Sequence, residues 1–221
     1  MFRTGLSRDR RPWSYHVVMD TTTFDPEDLT PADRYKLLSG LVVPRPIGWI
    51  GSVSSEGIFN LAPYSFFNVI AANPPTVLFS AGRRGGELKD TAANVLVTGE
   101  FTVNIVTEAT AKAMNISSGD HAPEINEFEL AGLTAVRGQR VGAPRVLESA
   151  ASLECALSHW FDLGDPPTNR VFVGDVVFLH VRDEVLDGTR VNHQALRAVG
   201  RLAGSDYVTT ADALFTMDRP D

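Results

Sequence analysis

A chain of 221 residues that is 43% hydrophobic can bury a sizeable core, and one β-rich domain is the economical reading of that length. Charged residues make up 21% and the net charge is −7, so the overall field repels nucleic-acid phosphates and anionic membrane surfaces, and any anion site must be local. The single cysteine, Cys155, excludes an intrachain disulfide and fits a reducing compartment and a buried structural thiol, while no apolar stretch approaches the ~18 residues of a membrane span.

Residues 1–23 read as an N-terminal extension ahead of one domain over 24–221. Met19 is an alternative start, and the basic opening lacks the apolar stretch of a secretory signal, which makes the cytoplasm the expected location. Thr30 as N-cap, Pro31 at the first helical position and Asp33 three residues after the cap predict a helix over Pro31–Ser39, ended by Gly40. Leu41–Val53 and Ile58–Ile70 flank the turn signal Ser55-Glu56-Gly57 and read as paired strands bent at their prolines. Thr76–Ser80 is a third, short strand. Asp90 can cap a helix running to about Thr98 with Gly99 beyond its end, followed by a strand over Phe101–Val106 and a short helix over Glu108–Ile116.

The acidic, turn-rich stretch Ser117–Ala131 is long for a routine connection and reads as an active-site lid, a contact loop or a solvated surface loop. Strands follow over Ser152–Phe161 and Arg170–Arg182, then a turn at Asp187-Gly188 and a short helix around Asn192–Leu196. Strands outnumber helices and are mostly joined by short turns. The expectation is a mainly β protein with peripheral helices, an antiparallel barrel rather than a doubly wound sheet.

Several chemistries lack their signatures. There is no G-x-G-x-x-G after a strand, no P-loop, no H-E-x-x-H and no G-x-S-x-G. His16, His121, His159, His180 and His193 are scattered without ligand spacing, so no metal is expected. The carboxylates Glu124, Glu127 and Glu129 read as solvated charges.

What remains is the run VVPRPIGWIGSVSSEGIFNLAPYSFF over Val42–Phe67 and FSAGRRGGELKDTAANV over Phe79–Val95. Asn60 and Ser65 are polar groups in apolar strand sequence and need partners if buried; a ligand or a neighbouring strand can provide them. Arg83, Arg84 and Lys89, with Ser80 before them and Thr91 in the helix start, can take a phosphate through charge-assisted bonds and free helix N–H groups. Read without a ligand, the same patch is an exposed basic turn before an ordinary helix, and the aromatics Trp49, Tyr64, Phe66 and Phe67 are core.

These strings, together with FELAGL, LECAL, VFVGDVVFLHV and AVGRLAGSDYVTT, resemble the flavin reductase-like, FMN-binding split-barrel family, in the branch associated with flavoprotein oxygenases. The resemblance spans about residues 24–219. It implies a six-stranded antiparallel split barrel that forms a homodimer and holds FMN near the dimer interface. It places Arg45, Trp49, Ser52, Asn60, Ala62, Ser65 and Phe66 at or near the ring and ribityl chain, and gives the phosphate to Ser80, Arg83, Lys89 and Thr91, with Asp90 and Asn94 shaping the turn. Arg84 is set below Arg83 because neighbouring strand residues alternate in direction.

The implied activity is hydride transfer from NADH or NADPH to flavin, with electrons or reduced flavin passing to a partner flavin-dependent oxygenase. No side-chain nucleophile is required. His159, His193, Arg201 and Tyr207 are candidates for the nicotinamide groove. An FMN-binding electron carrier and a non-catalytic barrel with a degenerate flavin site are the alternatives.

Overall fold

The computed structural model describes residues 20–212 and 214–220. Most of the expected extension, and with it Met19, lies outside the described residues; Asp20 to Thr23 are exposed. In chain order the elements are α1 (Pro31–Leu41), β1 (Arg45–Pro46), β2 (Gly48–Val53), β3 (Phe59–Tyr64), β4 (Phe67–Ala72), β5 (Pro75–Arg84), β6 (Glu87–Leu88), α2 (Asp90–Thr98) and β7 (Glu100–Ile105). There follow α3 (Ala111–Ile116), α4 (Glu127–Leu130), β8 (Ala135–Val136), β9 (Arg145–Val146), β10 (Ala151–Leu163) and β11 (Asn169–Val181). A 3-10 turn, the hairpin of β12 (Leu186–Asp187) and β13 (Arg190–Val191), α5 (His193–Leu196), β14 (Val199–Arg201) and β15 (Tyr207–Thr209) complete it.

The main sheet is antiparallel throughout, ordered β3-β2-β7-β10-β11-β5-β4 with β6 on β5. Its two ends, β3 and β4, are successive halves of one stretch, Phe59–Ala72. The first half pairs with β2 and the second with β5. The chain bends between them at Ser65-Phe66, where the Phe66 carbonyl still accepts from Ser80 N at 2.8 Å. The sheet thereby rolls into a barrel closed by a single bent segment. It contains eight strands rather than six, because the expected strand Ile58–Ile70 splits at this bend and β6 adds a short partner.

The core divides in two across β2. Ile50 points into the barrel, where Phe79 stacks on Phe172 at 4.9 Å and meets the edge of Phe101 at 5.2 Å. Ile47 and Trp49 point the other way, into a second cluster with Leu61, Val106, Met114 and Phe128. Both faces of β2 are therefore buried, which explains a sequence that is apolar or small apart from Ser52. Helix α2 plugs the barrel with Ala92 and Val95. Gly174 leaves space for Phe101: a Cβ there would fall 2.4 Å from the ring.

Local signals set the helix starts. Thr30 accepts from Asp33 N at 3.1 Å and Pro31 opens α1, but the helix passes through Gly40 to Leu41, so the predicted strand start at Leu41 is helical. Gly99 ends α2 in the left-handed conformation at φ 71°. Asp90 is the first residue of α2 rather than its cap; Lys89 holds the cap position, and no side chain bonds there. The stretch Ser117–Ala131 contains α4, with Asn126 accepting from Phe128 N at 3.1 Å. No helix among the described residues is long and apolar enough to cross a membrane.

Candidate functional site

A cleft of about 60 Å³ opens where β5, the start of α2, the β3 edge and the Ser117–Gly119 turn meet. Lys89 and Thr91 line it from the helix start, Arg84 from the end of β5, and Asn60, Ala62 and Tyr64 from β3. The Lys89 ammonium has no hydrogen bond or ion pair among the described residues. The first turn of α2 is not closed by any side chain, so its N–H groups and positive dipole end face the cleft. Arg84 is partly engaged, pairing with Asp120 and donating to the His121 carbonyl at 3.5 Å.

Under the cleft lies a buried polar network. The Glu127 carboxylate, 5% exposed, accepts from Asn60 Nδ2 at 3.1 and 3.0 Å and from the Leu61 N–H at 3.0 Å. That fixes the Asn60 amide, whose Oδ1 accepts the Thr91 hydroxyl at 2.7 Å and the Ser52 hydroxyl at 3.2 Å. Asn94 Nδ2 in turn donates to Ser52 Oγ at 3.2 Å. The β2–β3 hairpin, α2 and α4, three parts of the chain well separated in sequence, are thus locked at one point.

Electrostatics at the floor follow from burial. Desolvation holds the Glu127 carboxyl above the usual carboxylate range, against the pull of its bonds to Leu61 and Asn60 and of His121. Burial also pushes the Tyr64 phenol up to about 12, with the Thr91 hydroxyl pulling back and Asp90 and Glu127 adding to the rise. The phenol is neutral at physiological pH.

The cleft gathers Asn60, Ala62, Lys89, Asp90 and Thr91 of the expected residues. Ser52 and Asn94 stand one step behind, as supports of Asn60. The ring wall expected from β1 and β2 is not assembled. Trp49 is fully buried and donates its indole N–H to Ser117 Oγ at 2.8 Å. Arg45 is 6% exposed and spends its guanidinium on the carbonyls of Ser39, Val42 and Leu202, with Ser65 Oγ at 3.5 Å from Nε. It clamps the end of α1 to the segment after β14. Phe66 is exposed beside Tyr35, at 6.4 Å between rings.

The two arginines exchange places. Arg83 turns away from the cleft to the Gly86 carbonyl at 3.0 Å and to Asp162 at 3.4 Å, and Ser80, which does not line the cleft either, accepts from Asn169 at 3.2 Å. Strand alternation brings Arg84 to the cleft instead. Glu127, read from sequence as a solvated charge, is the buried centre of the network. Its signal was the pairing of Asn126, a helix cap, with the apolar Phe128, which turns one side of α4 inward. His121 and Ser117–Gly119 also line the cleft, so the long acidic stretch is a wall of the site.

A groove of about 840 Å³ begins at Ser118, which it shares with the cleft, and runs between α3 and β14–β15. Arg201 and Tyr207 form one side, with the guanidinium 4.5 Å from the ring centroid. Lys112, Met114 and Val199 are also in it. His159 and His193, the other two groove candidates, are exposed and do not line it. Among the described residues no group of three or more His, Cys, Asp or Glu is placed to hold a metal ion.

Fold and site define a split-barrel protein with an uncapped helix terminus at its cleft. Residues 39–199 match the family model described as a flavin reductase like domain, and the chain belongs to the flavin reductase-like family. Its structure is similar to nitrilotriacetate monooxygenase component B from Bacillus cereus, at 36% identity and a TM-score of 0.87, covering 90% of this chain and 100% of that one. It is also similar to the 2-nitrobenzoate 2-nitroreductase NbaA of Pseudomonas fluorescens, at 30% identity and a TM-score of 0.81 over 90% and 96% of the two chains. A protein of Aquifex aeolicus is 45% identical over 176 residues, 79% of this chain and 88% of its own length.

Proposed function

We propose that the protein is an FMN-binding flavin reductase that takes hydride from NADH or NADPH, works as a cytoplasmic homodimer, and supplies electrons or reduced flavin to a partner oxygenase. The observation that carries this reading is the unpaired Lys89 ammonium beside the open N-terminus of α2, in a cleft that Arg84 and Thr91 also line. Lys89 and the α2 amides offer a phosphate monoester a free cation and N–H donors, Arg84 adds a guanidinium shared with Asp120, and Thr91, its hydroxyl donated to Asn60, is a lone-pair wall held by the Asn60–Glu127 network. The likeness to nitrilotriacetate monooxygenase component B supports an oxygenase partner, and the likeness to NbaA supports a reductase.

Bound flavin supplies the hydride-accepting chemistry. The chain's own part is binding, orientation and exclusion of water. Lys89, Arg84 and the α2 amides hold the phosphate end, and the Ala62–Tyr64 edge and the Ser117–Gly119 backbone flank the path out of the cleft. The neighbouring groove, with Arg201 and Lys112 for the phosphates of a dinucleotide, positions the nicotinamide, so catalysis rests on juxtaposition rather than on a reactive side chain. The cleft of one chain is too small for a ring system. Exposed apolar residues on β4 and at the β10–β11 tip, among them Val69, Ile70, Trp160 and Phe161, support a second copy completing the site.

The test is spectroscopic. Protein reconstituted with FMN is expected to show a bound-flavin spectrum, bleached anaerobically by NADH or NADPH. Colourless protein that cannot be reconstituted overturns the reading; binding without bleaching leaves an FMN-binding electron carrier. Sedimentation tests the dimer.

A further inference from the structure

A second basic recess lies at the open end of the β10–β11 hairpin, remote in sequence from the cleft. There the first residues of β10 pair with the last of β11, Ala151 with Val181 and Ser152 with His180. The start of β9 brings Arg145 alongside. Between them is a recess of about 400 Å³ lined by Arg145, Arg182, His180 and Ser152, with Leu147 and Leu179 as apolar walls. It shares no lining residue with the cleft or the groove.

Arg145 is the unusual member. Its Nε is buried without a hydrogen-bond partner, and its guanidinium makes no ion pair with any described residue. A desolvated guanidinium N–H without an acceptor is costly, and folded proteins rarely leave one unmet. Arg182 adds a second cation. It donates to the Leu147 carbonyl at 3.0 Å, and its ion pair with Glu184, at 3.4 Å between exposed side chains, neutralises it only weakly.

No carboxylate lines the recess. The nearest acid behind His180, Glu154, is already saturated by His180 Nε2 at 2.5 Å and by the amides of Gln139, Arg140 and Val141 at 2.7, 2.6 and 3.0 Å. A chain of net charge −7 thus carries a local cationic recess in which the Arg145 guanidinium has no protein acceptor among the described residues.

We propose that this recess binds a small organic oxyanion, with a carboxylate or phosphate-monoester head held by the Arg145 fork beside Arg182 and an apolar body against Leu147 and Leu179. The volume lies within the ~300–1,000 Å³ range of small-molecule sites, and a planar guanidinium matches either head bidentately. The proposal is independent of the flavin reading.

The test follows the Arg145 Nε–H signal of the full chain by NMR, assigned through its loss in Arg145→Lys, while benzoate, phenyl phosphate and uncharged benzyl alcohol are titrated in turn. Benzoate or phenyl phosphate is expected to move the signal saturably, and the tighter of the two identifies the head group; benzyl alcohol is expected to leave it in place. Calorimetric affinity for that anion should fall at least about tenfold in Arg145→Gln, the loss of a charged hydrogen bond, and be unchanged by saturating FMN. Should Arg145→Gln fail to fold, Leu179→Glu at a position 61% exposed supplies a competing carboxylate and is expected to abolish binding. Absence of a saturable shift, an equal response to benzyl alcohol, an affinity untouched by these substitutions, or competition with FMN would each overturn the proposal.

Discussion

Arg83 and Arg84 are chain neighbours that face opposite sides of β5: the first lies 3.4 Å from Asp162, the second pairs with Asp120 at the cleft. Only Arg84 lines the cleft. Lys89→Ala and Arg84→Ala are expected to weaken FMN binding roughly tenfold or more, as the loss of a charge-assisted bond does, and to leave riboflavin binding nearly unchanged. Arg83→Ala should spare both ligands and instead loosen the β10–β11 tip. Fluorescence titration with the two flavins measures the contrast, and equal losses for both would place the phosphate elsewhere.

Glu127 and Asn60 are expected to behave as one unit. Glu127→Ala strands the Asn60 amide and the Leu61 N–H in a buried position and should cost about 2–4 kcal/mol of stability, since each orphaned buried donor costs ~1–3 kcal/mol. Adding Asn60→Ala to that variant should cost much less than Asn60→Ala alone. A double-mutant cycle from urea unfolding reads the coupling, and additive effects would contradict the network.

At Gly174 the constraint is steric. Gly174→Ala puts a methyl 2.4 Å from the Phe101 ring and 3.3 Å from Cys155 Cβ, so it should destabilise by at least about 1–3 kcal/mol. A thermal midpoint at or above that of the parent would show that the ring can move aside.

Acid stability is tied to Glu154. Burial raises its carboxyl, but His180 and the amides of Gln139, Arg140 and Val141 outweigh that and hold it below the ordinary value of 4.5. A carboxyl lowered on folding stabilises fully above its unfolded value and loses that contribution as the pH falls through its folded one. Glu154→Gln should therefore flatten the decline of stability below pH 4.5 while lowering stability at neutral pH. Urea midpoints across that range give the slopes; parallel curves for the two proteins would remove Glu154 from the account.

Legibility in the sequence tracked the range of the interactions. The limits of α2 were readable because Gly99 and the apolar spacing act within the helix itself. The partners of Phe59–Ala72 were not, since a run of strand-forming residues does not say where it changes neighbours. Lys89 and Thr91 line the cleft together because both belong to the start of one helix, a relation that is local in sequence. The partners of Trp49 and Arg45 are not legible in the sequence because Ser117 and Leu202 lie 68 and 157 residues away. Glu127 was missed for the same reason: its burial is decided by Asn60, 67 residues earlier.

The bent segment Phe59–Ala72 also sets an order of assembly. Its two halves pair with close neighbours in the chain, Gly48 with Tyr64 and Phe67 with Phe79, so both hairpins can form early. The ring closes only when β11 reaches β5, bringing Asn169 to Gly82, and when β10 reaches β7, bringing Ser152 to Asn104. Loop-closure entropy makes these the late events. A chain emerging from the ribosome has therefore made every residue of the cleft, the last being Glu127, before β10 and β11 exist to close the ring around it.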